Sequence, residues 1–179
     1  MSAAEVKTRV PRPIRPAAPP LPAFDALDQT HRQMLEQLSA LDELMTHLND
    51  RGQDDVTRDS ARAICAFFDD TARAHHADEE RIVFPGLLAS GDVELVGLVR
   101  RLQQDHGWLE EDWIELAPQL QAVAQGYSWY DLDSLRLGVS IFTALHHDHL
   151  GLEESVVYPA ARRHAAAQAQ STQARLAGD

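Results

Sequence analysis

Apolar residues recur along this chain at i, i+3, i+4 and i+7, the spacing of helices that bury one face. Four stretches carry the pattern. The first runs from about Phe24 to Leu48, through Leu27, Met34, Leu35, Leu38, Leu41 and Met45. The second runs from about Val56 to Leu88, through Ile64, Phe67, Phe68, Ile82 and Val83. The third spans about Val93 to Ala124, through Leu95, Leu98, Leu102, Leu109, Trp113, Leu116 and Leu120. The fourth spans about Leu132 to Arg163, through Val139, Phe142, Leu145, Val156 and Val157. Asn49-Asp50-Arg51-Gly52, Ser90-Gly91-Asp92 and Gly126-Tyr127-Ser128 break them, and Asp92 and Asp131 are suited to cap the helices that follow. No strand-like alternation competes. Long helices on short links predict an all-α, up-down-up-down four-helix bundle.

The flanks differ from this core. Six of the nine prolines fall within residues 1–22, a density that cannot be helical and predicts a disordered Pro-rich arm. The bundle is then expected over residues 23–165, with an Ala- and Gln-rich, fraying tail over 166–179.

The chain also repeats itself. Residues 75–85 and 149–159, offset by 74, both read His-x-x-x-Glu-Glu-x-[Ile/Val]-Val-[Phe/Tyr]-Pro. At an offset of 75, Gln29-Thr30-His31 matches Gln104-Asp105-His106. The bundle is therefore expected to consist of two similar helical hairpins. Each supplies a lone histidine on its first helix and a His-x-x-x-Glu on its second.

That pattern carries the chemistry. Residues at i and i+4 lie about 40° apart around a helix and one turn apart along it, so both can reach one ion. His75 and Glu79 share a phase with Ile64, Phe68, Thr71 and Ile82, and His149 and Glu153 with Phe142, Leu145 and Val156. His31 falls between Leu27 and Leu35, and His106 between Leu102 and Leu109. All six should face the core, where unpaired polar groups are costly and a coordinated metal removes the cost. His76-x-x-x-Glu80 has the same spacing. His75 and Glu79 are preferred because they stand as far from Pro85 as His149 and Glu153 stand from Pro159, and because His76 phases with the more polar Asp69 and Glu80. Glu and His on facing helices suit a di-iron or di-manganese pair. Two ions would each take two histidines and share the two carboxylates, with an oxo or hydroxo bridge completing the shell. A metal-free polar core and a zinc site are the alternatives.

Composition narrows the function. The chain has 179 residues, one comfortable domain, with 16 Lys plus Arg against 28 Asp plus Glu and a formal charge of −12. That acidity argues against a nucleic-acid partner. Cys65 is the single cysteine, which excludes an internal disulfide, cysteine zinc sites, iron–sulfur clusters and thiol redox pairs. No apolar run follows Lys7, Arg9, Arg12 and Arg15 as a secretory signal requires, and none is long enough to span a membrane, so the cytoplasm is expected and no membrane partner.

The set His31, His75-x-x-x-Glu79, His106 and His149-x-x-x-Glu153, with the Phe84-Pro85 and Tyr158-Pro159 endings, resembles the hemerythrin-like, HHE cation-binding family over roughly residues 24–163. The resemblance implies a non-haem di-iron site in a four-helix bundle. Oxygen-carrying hemerythrins have a second histidine four residues after the third-helix one, where this chain has Glu110. They also have an aspartate five residues after the fourth-helix histidine, where this chain has Glu153 at four. The four-His, two-Glu set is more similar to the di-iron iron-repair proteins and the iron-sensing hemerythrin-like domains.

Together these imply a di-iron protein that binds O2, NO or peroxide, or handles iron, with His31, His75, His106 and His149 as terminal ligands and Glu79 and Glu153 as bridges. Phe68, Leu102, Leu109, Phe142 and Leu145 would wall the site. An enzyme reducing NO or peroxide is the second reading, with Glu110 and His146 as candidate proton relays. A structural-metal bundle that docks a protein partner through its acidic surface or Pro-rich arm is the third. His47, His76, His147 and His164 are expected at the surface, with Glu80 and Glu154 facing solvent or pairing with arginine. A protein partner or electron donor is not identifiable from the sequence.

Overall fold

The computed structural model describes residues 21–177. The expected Pro-rich arm lies outside the described residues up to residue 20, and so do the last two residues of the expected tail. Four helical rods form the bundle. The first is α1 (Leu21–Arg51). The second is continuous but changes pitch, through α2 (Asp55–Ala66), a π-helical segment Phe67–Ala72, α3 (Arg73–Asp78), a π turn Glu79–Val83 and α4 (Phe84–Leu88). The third is α5 (Val93–Gln125). The fourth joins α6 (Leu132–Leu152), a π turn Glu153–Val157 and α7 (Tyr158–Leu176). Each rod packs on its sequence neighbours, and the first closes the ring against the fourth. The fourth rod stays helical through the expected tail, although its residues from Ala169 onward are exposed.

The helix ends follow local chemistry. Asp92 accepts from the Leu95 amide at 3.1 Å and Asp131 from the Ser134 amide at 2.7 Å, as anticipated. Asp54 caps α2 with a capping box, its carboxylate taking the Thr57 amide while the Thr57 hydroxyl takes the Asp54 amide. Gly126, at φ +80°, ends α5 in the left-handed conformation, and the Tyr127 amide reaches back to the Ala122 carbonyl at 2.9 Å.

The two π turns alter which residues are inside. Phe84 N–H donates to the Glu79 carbonyl, and Tyr158 N–H to the Glu153 carbonyl, both five residues back. After one intervening residue each turn is followed by a proline, Pro85 or Pro159, which lacks the amide an α-helix would use there. The wider turn keeps one face inward at steps of four: His75, Glu79, Val83 and Leu87 are buried, as are His149, Glu153, Val157 and Ala161. Regular α spacing had placed Ile82 and Val156 in the core. Ile82 is instead half-buried and Val156 is 38% exposed, while Val83 and Val157 take their places. The earlier π segment likewise buries Ala72 in place of Thr71. Leu35 is exposed because Met34 and Leu38 occupy the inward face of α1, and Leu145 is half-buried.

The interior has three layers. One apolar cluster holds Met34, Leu38, Phe68, Trp113, Val139 and Phe142. The other holds Phe24, Val83, Phe84, Leu102, Val157 and Tyr158. Between them, every rod contributes buried polar side chains. The π-turn register is testable on adjacent residues. Val157→Ala is expected to cost about 2 kcal/mol of stability, a core truncation. Val156→Ala is expected to stay within about 0.5 kcal/mol, a surface change. Urea unfolding midpoints of the two variants measure the contrast.

Candidate metal centre

The polar layer collects all six residues that the repeat singles out. His31 lies partway along α1, His75 on α3, His106 on α5 and His149 on α6. Glu79 and Glu153 are the first residues of the two π turns. His106 is the most exposed of the six, at 7%.

Their donor atoms converge in two groups. In one, His31, His75, Glu79 and Glu153 each bring a ligating atom to within 4.8 Å of the others. In the second, Glu79, His106, His149 and Glu153 do the same. Both groups share the two carboxylates. Glu153 Oε2 lies 3.3 Å from His31 Nε2, while its Oε1 lies 3.2 Å from His149 Nε2. Glu79 Oε2 lies 3.5 Å from His75 Nε2 and 3.4 Å from His106 Nε2. His31 Nε2 and His75 Nε2 approach to 3.0 Å. The separations suit donors turned toward common points, and a carboxylate facing both groups can bridge two ions.

A surrounding set of residues escaped the sequence reading. Glu80 and Glu154 were expected at solvent or on arginine; both are exposed, but each also reaches a histidine, Glu80 meeting His106 Nδ1 at 2.9 Å and Glu154 meeting His31 Nδ1 at 3.2 Å. A carboxylate on the far nitrogen fixes the ring's orientation and leaves Nε2 free for a metal. The doubled Glu-Glu of the two repeats was the available signal. Tyr158 donates its phenol hydrogen to Glu79 Oε1 at 2.5 Å, and its oxygen lies 3.1 Å from His31 Nε2, with the two rings stacked. Asp105 is buried, 3.9 Å from His149 Nδ1 and 3.7 Å from Arg101 Nε. His76 was assigned to the surface, but its ring stacks on His106 at 4.2 Å. His47 is half-buried against Asp54, His164 is half-buried, and His147 is exposed as expected.

Glu110 and His146 do not join the donor groups. Glu110 forms a two-pronged ion pair with Arg73, and its side chain is 38% exposed. The Arg73 guanidinium hydrogen-bonded to it holds the Glu110 carboxyl below its usual range. His146 is buried, its Nδ1–H donating to the Phe142 carbonyl at 3.0 Å. The two residues share a narrow crevice of about 20 Å³ with Arg73, Phe68, Trp113 and His76.

Burial sets the charges. It lowers His75 to about 4 and His146 to about 3, and it also lowers His76 and His149. Neutral imidazole is the form that binds metal. Burial opposes the His106 charge, but Glu79 and Glu80 beside it reverse that and raise it. Burial likewise opposes the Glu79 charge, yet His106 and His75 hold it lowered. Glu153 is raised by burial and by Glu79. One carboxylate ionised and its neighbour reluctant is what two acids a few ångströms apart produce without a cation. Cys65, pushed up to about 12 by burial and by Asp69, is an inert thiol.

The donor set fits a metal. Among the described residues, the buried side-chain atoms without a hydrogen-bond partner include Glu79 Oε2, His106 Nε2, His149 Nε2 and both Glu153 oxygens. These atoms aim into the layer, and a cation satisfies them together. The family model described as the hemerythrin HHE cation-binding domain matches residues 23–161. No curated protein and no solved structure gives a significant match.

His146 gives a pH prediction for the metal-free chain. It titrates at about 3 when folded against 6.5 as the reference value. Between those values the unfolded chain holds the extra proton, so His146 costs stability as pH falls through that window. Melting temperatures of the wild type and His146→Asn, taken from pH 7 to 4, should diverge, with the wild type falling faster. Parallel curves would contradict the assignment.

Proposed function

The chain belongs to the hemerythrin HHE cation-binding family, and we propose that it holds two iron ions at this centre and binds a small ligand there. The observation that carries the reading is the pair of donor groups sharing Glu79 and Glu153. His31 and His75 would serve one ion, His106 and His149 the other, and the two carboxylates would bridge. Iron suits the mixed imidazole and carboxylate set, and tetrahedral zinc would leave donors unused. When bound, the ion pair would supply redox capacity and a position for O2, NO or peroxide.

The chain's own residues define what could reach it. Phe68, Leu102, Leu109 and Phe142 are buried around the layer and keep bulk water out. The crevice beside Phe68 and Trp113 has room for about one water, which favours diatomic or similarly small ligands. Tyr158 donates its phenol hydrogen to Glu79 beside His31, which orients that carboxylate within the layer. Binding is favoured over turnover. Glu110, one of the proton relays the enzyme reading called on, is a carboxylate locked to Arg73. Iron handling in the manner of the iron-repair or iron-sensing proteins remains compatible with the same donor set.

Elemental analysis of protein expressed with ample iron tests this reading. About two irons per chain are expected, falling to one or none in His75→Ala and in Glu153→Ala. One zinc per chain, or no metal, would overturn it. Anaerobic NO addition to the reduced protein should then give a saturable absorbance change without steady-state consumption.

A further inference from the structure

The two halves of the centre are related by the repeat, and the repeat breaks at the position just after its histidine. The offset that places His75 on His149 and Glu79 on Glu153 places His76 on Leu150. Leu150 behaves as an ordinary core residue, 3% exposed within the first apolar cluster. His76 puts an imidazole where its counterpart is aliphatic. Its ring lies flat against His106, with centroids 4.2 Å apart and planes 16° apart. It meets His149 edge-on at 5.4 Å.

Among the described residues, one nitrogen of this ring has nothing to bond to. His76 Nε2 is buried and unpartnered, and so are His106 Nε2 and His149 Nε2. His76, His106 and His149 each bring a ring nitrogen to within 4.8 Å of the other two. A buried acceptor without a partner costs about 1–3 kcal/mol. Three imidazoles sharing that fault at one spot have one common remedy, a cation between them. Ring stacking alone would explain the contact with His106 but not why the unpaired nitrogen sits beside two others.

We propose that His76 is a seventh metal donor, joining His106 and His149 at one ion while the ion at His31 and His75 keeps two imidazoles. The inference rests on the iron-pair reading above. It makes the two ions inequivalent in nitrogen count, although the sequence motifs that build them are twins. The third imidazole comes from the second rod, next to a residue that serves the other ion, so α3 holds one side chain for each ion. The adjacent positions 75 and 76 lie about 100° apart around a helix, which lets neighbours reach two different points.

Proton NMR of the full chain loaded with ferrous iron tests the assignment. Each iron-bound imidazole carries one exchangeable N–H that is shifted far outside the ordinary range. The wild type is expected to show five such signals, from His31, His75, His76, His106 and His149. His76→Leu, which copies the residue of the other repeat, should show four. It should also lose affinity for one of its two irons by about tenfold or more. Four signals in the iron-loaded wild type would overturn the proposal whether or not the variant folds. So would an unchanged affinity in a folded His76→Leu. A wild type with no shifted signals and no iron would instead overturn the iron-pair reading, and this inference with it.

Discussion

The rest of the structure depends on a polar layer placed across the middle of a hydrophobic core. Glu79, Glu153, His31, His75, His106 and His149 divide the two apolar clusters, and several of their atoms have no partner within the described chain. Each such group costs about 1–3 kcal/mol if nothing meets it. Five or more together are comparable with the entire stability of a domain, about 5–15 kcal/mol. A sequence would not keep that arrangement for packing. It is coherent once cations occupy the layer, because binding free energy then becomes folding free energy.

The backbone is adapted to the same layer. Glu79 and Glu153 each open a π turn, and a proline stands two residues beyond the end of each turn. Without the wider pitch, residues four apart would drift around the helix and the chain beyond Glu79 or Glu153 would turn its apolar face away from the second cluster. The turn resets the register, so Val83 and Val157 seal the layer directly behind the carboxylates. Glu80 and Glu154, next in sequence, swing to the outer nitrogens of His106 and His31. A Glu-Glu pair thus serves both sides of an imidazole, one acid toward the shared centre and the other behind a ring from a different rod.

Much of this was legible in the sequence. Four amphipathic periods gave the rods, and the doubled His-x-x-x-Glu gave six core-facing donors, because burial of ionisable groups at helical spacing is hard to explain otherwise. What escaped was set by departures from regular pitch and by contacts between rods. Ile82 and Val156 fit a uniform 3.6-residue period and were placed inside, whereas the π turns selected Val83 and Val157. His76 fell in a polar stripe with Asp69 and Glu80, and only the approach of α5 brings His106 against its ring. Tyr158 matched Phe84 as one more ring at the end of a motif. Its hydroxyl gains meaning only where it meets Glu79. Glu110 sat at a position of interest by alignment, but Arg73 on the neighbouring rod captures it.

The central claim is that two metal ions stabilise the layer together, and an anaerobic titration of metal-free protein with ferrous iron tests it most directly. With melting temperature followed at each addition, the account predicts a steep rise that ends at two equivalents per chain. A melting temperature indifferent to iron, or a rise complete at one equivalent, would contradict it.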